Sequence, residues 1–337
     1  LKNSTSLLLF VFIASIIAYL AYADLINPKP AELTEVVVKY GVPELTIPDT
    51  VYFAGERVPI EIPDVRERLD RELHVNTFWH SNTIFLLKRG HRWLPQIEEI
   101  LEDNQIPLDL AYLSVIESDL QNKTSPANAV GYWQLLKGTA RELGLEVTNE
   151  VDERYHPLRS TEAAAKYLSK AREKFGSWAN AAASYNIGNR GLERALTRQG
   201  VSSYYDLLLG EETSRYLFRA IAIKLIFENP KAYGFIISED NLYKKEKLKD
   251  VKIKKSIPNL RDWAFEKEIN YKILKRHNPW LRKNTLTVRS GKTYNVQIPK
   301  NRHEHKIETG QVIILHNTDS IDEIDIREAP KDTDEEM

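Results

Sequence analysis

The sequence predicts a mainly α protein in which a large helical domain is followed by a small α+β module. Three observations carry this expectation. Between Asp64 and Asn229 apolar residues recur at spacings of three and four, as in Trp93, Ile97, Ile100 and Leu101 and again in Leu217, Ile221 and Leu225, the period of a helix with one buried face. Helix-ending residues punctuate that run at Gly90, at Asn104-Gln105-Ile106-Pro107, at Gly144, at Gly176 and at Gly200. After residue 255 the pattern shortens to two brief helices in SIPNLRDWAFEKEINYKILKRHNPWL and one strand in GKTYNVQIP. A length of 337 residues suits one main core and a smaller module.

Taken from the N-terminal side, residues 7–23 are free of charge, follow Lys2, and end in the small-x-small triplet Ala21-Tyr22-Ala23 that signal peptidases cut. Export through a cleaved signal peptide is the expectation. An uncleaved signal anchor is the alternative, since a bilayer span needs roughly 17 to 25 apolar residues. Residues 24–63 hold Pro28, Pro30, Pro43, Pro48, Pro59 and Pro63, a density that favours extended, spacer-like backbone with at most one short strand. Residues 244–255, KKEKLKDVKIKK, read as a solvated basic connector, and the acid-rich stretch from Thr318 reads as a disordered tail.

Composition excludes several functions. Lys and Arg number 47 against 48 Asp and Glu, so the chain carries no overall electrostatic footprint for nucleic acid. With no cysteine, disulfides, thiol nucleophiles, cysteine metal sites and a lipidated cysteine are all excluded. Gly291-Lys292-Thr293 imitates the end of a phosphate loop, but Leu286 stands where the earlier glycine is required. His303-Glu304-His305 lacks zinc-protease spacing, so neither metal nor cofactor is expected.

The chemistry concentrates in AYLSVIESDL, residues 111–120. Pro107 and Asp109 suit a helix start, and the helix is expected to continue to about Leu120. Leu110, Leu113, Glu117 and Leu120 then share one face, which places Glu117 in the apolar stripe while Asp119 points away. A carboxyl group held against apolar walls loses hydration and resists ionisation; a rise of about two pH units in its pKa corresponds to roughly 2.7 kcal/mol. Glu117 is therefore either a proton donor or, on the alternative reading, the partner of an arginine or the cap of a neighbouring helix.

Two further stretches bear on that choice. Gly131-Tyr132-Trp133-Gln134 combines a turn with two ring faces suited to pyranose stacking and an amide suited to sugar hydroxyls, although such an aromatic pair also serves as core filling. SWANAAASYNIGN, residues 177–189, reads as a helix capped by Ser177, packed through Ala181, Ala182 and Ala183, and ending in the polar pair Tyr185-Asn186 before Gly188.

In this order the motifs resemble the catalytic domain of the lytic transglycosylases that cut peptidoglycan, most nearly the membrane-bound lytic murein transglycosylase D type. The carrying residues are Glu117-Ser118, Ser125 with Gly131 and Gln134, Ser184-Tyr185-Asn186, and ETSRYLF with Glu212, Thr213 and Tyr216. Two positions depart from the family pattern. Ser184 replaces alanine, and Asn128 replaces a glycine, asparagine being the next-best residue at positive φ. Residues 251–299 resemble a lysin motif (LysM), on Ile269-Asn270-Tyr271, Asn278-Pro279-Trp280-Leu281 and Gly291 to Pro299, with Ile257-Pro258-Asn259-Leu260 in place of the usual Gly-Asp-Thr-Leu turn. A module that keeps its fold without glycan affinity is the alternative there.

The resemblance implies a lysozyme-like helical catalytic domain over residues 64–235, a basic linker over 236–250, a LysM-like module over 251–300 and a tail from 301. It also implies location in the periplasm or cell envelope of a bacterium, with peptidoglycan strands as partner. The implied reaction needs one acid: Glu117 protonates the glycosidic oxygen, then takes a proton from the muramyl C6 hydroxyl, leaving a 1,6-anhydro end. Ser118, Ser125, Gly131, Tyr132, Gln134, Tyr185, Asn186 and Tyr216 are the implied substrate-binding residues, with Trp133 as stacking surface. A goose-type lysozyme that uses water instead, and a non-catalytic peptidoglycan-binding protein, are the competing readings.

Overall fold

The computed structural model describes residues 44–301. The expected signal or anchor segment, the first part of the proline-rich stretch, His303-Glu304-His305 and the acid-rich tail lie outside the described residues. Among the described residues no helix is long and apolar enough to cross a membrane.

The fold is mainly α, with two small two-stranded sheets among the described residues. A hairpin of β1 (Val51–Phe53) and β2 (Glu56–Val58) precedes α1 (Pro63–Phe78) and α2 (His80–Asp103). A single 3-10 turn, Leu108–Leu110, leads into α3 (Ala111–Ser118). Then come α4 (Lys137–Glu142), α5 (Pro157–Phe175), α6 (Trp178–Ile187), α7 (Asn189–Gln199) and α8 (Glu211–Glu228). The C-terminal module consists of β3 (Leu248–Ile253), α9 (Leu260–Glu266), α10 (Tyr271–His277) and β4 (Tyr294–Pro299).

Within residues 44–63, the described part of the expected spacer over residues 24–63, the hairpin corrects that expectation. Val51 pairs with Val58 and Phe53 with Glu56, across a two-residue turn in which Ala54 and Gly55 both have positive φ, the primed geometry that matches strand twist. Val51, Phe53, Val58 and Ile60 are buried, so this segment belongs to the helical core. Its polar groups do the positioning. Ala54 N donates to Asp109 Oδ2 at 2.7 Å, which ties the hairpin to the entry of α3. Glu56 accepts from Trp178 N at 2.7 Å and Ala179 N at 3.1 Å, satisfying donors that the first turn of α6 leaves open.

Gly90 does not end a helix, contrary to expectation; it lies inside α2. A β-carbon there would come within 2.3 Å of Phe227 Cε1, so the glycine is present for close approach rather than as a break. Gly176 and Gly200 do terminate α5 and α7, in left-handed conformations. α1 packs on α8, and the pair buries Glu72, which meets Arg215 at 2.5 Å and Arg71 at 3.0 Å. Buried alanines on α5 and α6, among them Ala164, Ala171, Ala181 and Ala182, let those helices lie close.

In the C-terminal module β3 and β4 pair antiparallel from Leu248 opposite Pro299 to Ile253 opposite Tyr294. The first strand thus begins inside the stretch expected to be a solvated basic connector. Its Val251 and Ile253 reach a core built by Leu260, Leu274, Leu281, Leu286 and Val296. The departure at residues 257–260 keeps the function of a helix start, because Asn259 Oδ1 accepts from Arg261 N and caps α9. The module docks on the helical domain through backbone. Asp152 N donates to Trp280 O at 2.9 Å and Arg282 N to Glu150 O at 2.7 Å, while the Glu150 carboxylate accepts from Thr285 Oγ1 and Thr287 N.

Candidate active site

α3 stops at Ser118, two residues earlier than its apolar face suggests. Asp119 and Leu120 have φ of 55° and 54°, consecutive left-handed residues that cost about 1 kcal/mol or more each without glycine. Three contacts hold that turn. Arg89 Nε donates to Asp119 O at 2.6 Å, the Asp119 carboxylate pairs with Lys123, and Leu120 is buried. The reversal leaves Glu117 in the last helical turn with the chain folding back past it.

Glu117 is part-buried, both reachable and poorly hydrated. Burial raises its carboxyl pKa to about 7, against the smaller opposing effects of a hydrogen bond from Tyr216 and the Arg219 charge; the nearby Glu212 charge acts with burial. Tyr216 Oη donates to Glu117 Oε1 at 2.7 Å. Among the described residues no lysine or arginine pairs with Glu117; Arg219 instead donates to the Ile116 carbonyl at 3.0 Å. The ion-pair and capping alternatives therefore find no support, and the acid stands poised between its protonation states near neutral pH.

The turn after α3 is built as a rigid unit. Ser125 O and Oγ accept from Asn128 N and Ala129 N, and Asn128 has φ of 61°, the conformation for which asparagine substitutes for glycine. Gly131 has φ of 86°, and a β-carbon would fall 1.9 Å from Arg154 O. Gln134, at φ of 46°, donates through Nε2 to Gly131 O at 2.8 Å and Lys123 O at 3.1 Å. Ser118 is buried, its hydroxyl donating to Ser114 O and to Tyr132 O at 2.9 Å, so it fastens α3 to the turn rather than facing a ligand.

The expected stacking role of Trp133 is corrected. Its side chain is 0% exposed, with Nε1 donating to Thr161 Oγ1 at 2.8 Å, and it offers no ring face to a sugar. Tyr132 is also nearly buried, edge-on to Trp93 with centroids 5.2 Å apart. The aromatic pair fills core and thereby fixes the turn.

From α6, Tyr185 Oη donates to Trp133 O at 2.7 Å, and burial with the Glu117 charge raises its pKa. Asn186 Oδ1 accepts from Thr213 Oγ1 at 2.7 Å. Successive turns of α8 therefore hold the two motifs, Thr213 against Asn186 and Tyr216 against Glu117. Ser184, the departure from alanine, is buried with its hydroxyl returned to Ala181 O, so the extra oxygen is satisfied within its own helix. Beside α3 and α8 opens a cavity of about 570 Å3 lined by Val115, Ile116 and Asp119 on one side and by Glu212, Arg215 and Arg219 on the other. Trp79, 58% exposed, stands at its edge.

Residues 97–207 match the transglycosylase SLT domain, and residues 249–302 match the soluble lytic transglycosylase C-terminal LysM-like domain. The chain contains both domains. Membrane-bound lytic murein transglycosylase D of Escherichia coli (strain K12) is 29% identical over 191 residues, covering 54% of this chain and 41% of that protein. The protein of the same name from Escherichia coli O6:H1 shows the same figures. The chain thus spans less than half the length of these relatives.

The matched SLT segment contains Glu117, the 123–135 turn and Tyr185-Asn186, whereas the hairpin, α1 and Tyr216 lie outside it. Sequence reading missed the groups that brace the SLT domain from outside those motifs. Arg154 donates to Asn128 O and Leu135 O while paired with Asp152, both side chains buried, and so clamps the turn from below. Two opposite charges two residues apart carry no periodic signal. Among the described residues no cluster of His, Cys, Asp and Glu could hold a metal ion.

Proposed function

We propose that this protein is a peptidoglycan lytic transglycosylase that cleaves the β-1,4 bond between N-acetylmuramic acid and N-acetylglucosamine without water, leaving 1,6-anhydro-N-acetylmuramyl ends. The observation that carries this reading is one part-buried carboxyl group, Glu117, with a pKa of about 7 and its Oε1 fixed by Tyr216. The SLT and LysM-like matches and the names of the relatives support peptidoglycan as substrate and the bacterial envelope as location.

With Oε1 engaged by Tyr216, Oε2 is the oxygen left to face the scissile bond. The protonated acid gives its proton to the glycosidic oxygen as the bond to C1 breaks, and charge develops on the sugar ring. The muramyl acetamido group stabilises that charge. The resulting carboxylate, now stabilised by Tyr216, takes the proton of the C6 hydroxyl as its oxygen closes on C1. Glu117 ends protonated again, and no water is consumed.

Hydrolysis by inversion needs a second carboxylate to activate water. Asp119 is paired with Lys123, and Glu212 is exposed on α8, so neither is held as a partner base. Replacing Glu117 with Gln tests the reading: release of anhydromuropeptides from sacculi should stop while the circular dichroism spectrum is retained. Activity within a few fold of wild type would overturn it.

A further inference from the structure

A second cavity, of about 620 Å3, lies between the SLT domain and the LysM-like module. Its walls come from α2, from the Leu120–Lys123 turn and the start of α5 on one side, and from β3, α10 and β4 on the other. The backbone bonds that join Asp152 to Trp280 and Glu150 to Arg282 hold these walls in register. The cleft is therefore built before any ligand arrives.

Its charge is one-sided. Arg89, Arg92, Lys123, Lys245 and Arg276 line it against a single acid, Glu246. Glu246 pairs with Arg276, and Lys123 pairs with Asp119. Arg89 and Arg92 donate only to the backbone carbonyls of Asp119 and Lys244, and among the described residues neither they nor Lys245 forms an ion pair. Arg92 and Lys245 thus lack a neutralising carboxylate, and Arg89 shares the Asp119 charge with Lys123, in a chain whose total charge is balanced.

The uncharged lining is of the kind that takes sugars. Trp93 is part-exposed, the Tyr243 ring lies beneath the Arg92 guanidinium at 5.3 Å, and the amides of Gln121 and Asn122 are exposed. Aromatic faces with amides suit N-acetylated pyranose rings, and the cations suit acidic substituents on them. Gln121 to Lys123 also follow directly from the Glu117 helix, and Lys123 O receives Gly131 N and Gln134 Nε2, so this cleft shares a wall with the catalytic turn.

We propose that the cleft between the two domains is a second carbohydrate site, selective for sugar strands that bear carboxylates. The proposal rests on the peptidoglycan reading for the source of such strands, whose muramyl residues bear a free lactyl carboxylate where the peptide is absent and the carboxylates of the peptide where it is attached through an amide to the lactyl group. A strand engaged there is held close to Glu117 by a contact outside the reacting sugars, which raises its effective concentration at the catalytic turn. Balanced overall charge and the exposed amides favour an acidic glycan over a polynucleotide.

The test uses the full chain carrying Glu117→Gln, so that ligand is not consumed. It is titrated by tryptophan fluorescence with a disaccharide muropeptide, with a peptide-free muramyl strand, and with neutral chitotetraose. Adding Arg92→Glu and Lys245→Glu together should weaken muropeptide binding about tenfold or more, steepen no loss for chitotetraose, and leave the melting temperature unchanged. Retained affinity of the peptide-free strand shows that a free lactyl carboxylate suffices as ligand group; its loss assigns the carboxylates of the peptide. Lys245→Glu alone, at an exposed position, reads the same effect should the double variant melt early. Unchanged muropeptide affinity, or equal weakening for chitotetraose, overturns the site. Products of the wild-type chain separate the two readings: anhydro ends with charge-independent binding sink only this cleft, whereas absence of anhydro ends sinks the catalytic reading.

Discussion

Tyr216 Oη and Glu117 Oε1 lie 2.7 Å apart although 99 residues separate them in the chain, and this bond joins α8 to the last turn of α3. It opposes burial, lowering the pKa of an acid that burial raises. Removing it should act on both orientation and titration. Tyr216→Phe is expected to lower kcat/KM by about 10- to 100-fold near neutral pH and to move the alkaline limb of the pH profile upward. The direction follows because the proposed reaction starts from protonated Glu117 and loss of the bond favours that form. A downward move would contradict the assignment.

Glu117 also sets a pH dependence of stability. Its folded pKa of about 7 exceeds the ordinary 4.5, so the folded state binds more protons and stability falls as pH rises through that window. The slope is at most about 1.4 kcal/mol per pH unit. Glu117→Gln should therefore match wild type at pH 4 and exceed it by up to about 3 kcal/mol at pH 8, by urea unfolding. Equal stability at both pH values would show that the group is not desolvated.

The Glu56 carboxylate carries a prediction about the hairpin. By accepting from Trp178 N and Ala179 N it acts as a cap supplied from another element, and Glu56→Ala should cost about 1 kcal/mol in urea unfolding. Because α6 presents Tyr185, the same variant should lower kcat more than it raises KM. A neutral result in both measurements would deny the hairpin its positioning role.

Gly131→Ala should be far more damaging than Gly90→Ala. At Gly131 the new methyl group would meet the backbone oxygen of Arg154 at 1.9 Å and the φ of 86° is strained for alanine, whereas at Gly90 it meets the edge of the Phe227 ring, which can turn aside. We expect about 3 kcal/mol or more for the first and about 1 to 3 kcal/mol for the second, read by thermal melting.

Much of this site is legible in the sequence because it is local. The spacing of Leu110, Leu113 and Glu117 places the acid on the buried face before any fold is known, and Asn128 at positive φ follows from residue type. The burial of Trp133 is not legible in the sequence for a physical reason: a turn with adjacent aromatics looks alike whether the rings face solvent or core, and only the Thr161 hydroxyl opposite Nε1 decides. The hairpin was hidden by proline density, since Pro48 and Pro59 flank the strands without interrupting the ladder. Long-range partners such as Asp109 with Ala54, Arg154 with Asn128, and Asn186 with Thr213 leave no periodic trace, because each joins residues that the fold alone brings together.

The most direct test of the single-acid reaction is mass spectrometry of muropeptides released from sacculi in isotopically labelled water. The products are expected to be 1,6-anhydro muropeptides, one water lighter than hydrolysis products and free of label. Labelled reducing ends would contradict that reaction.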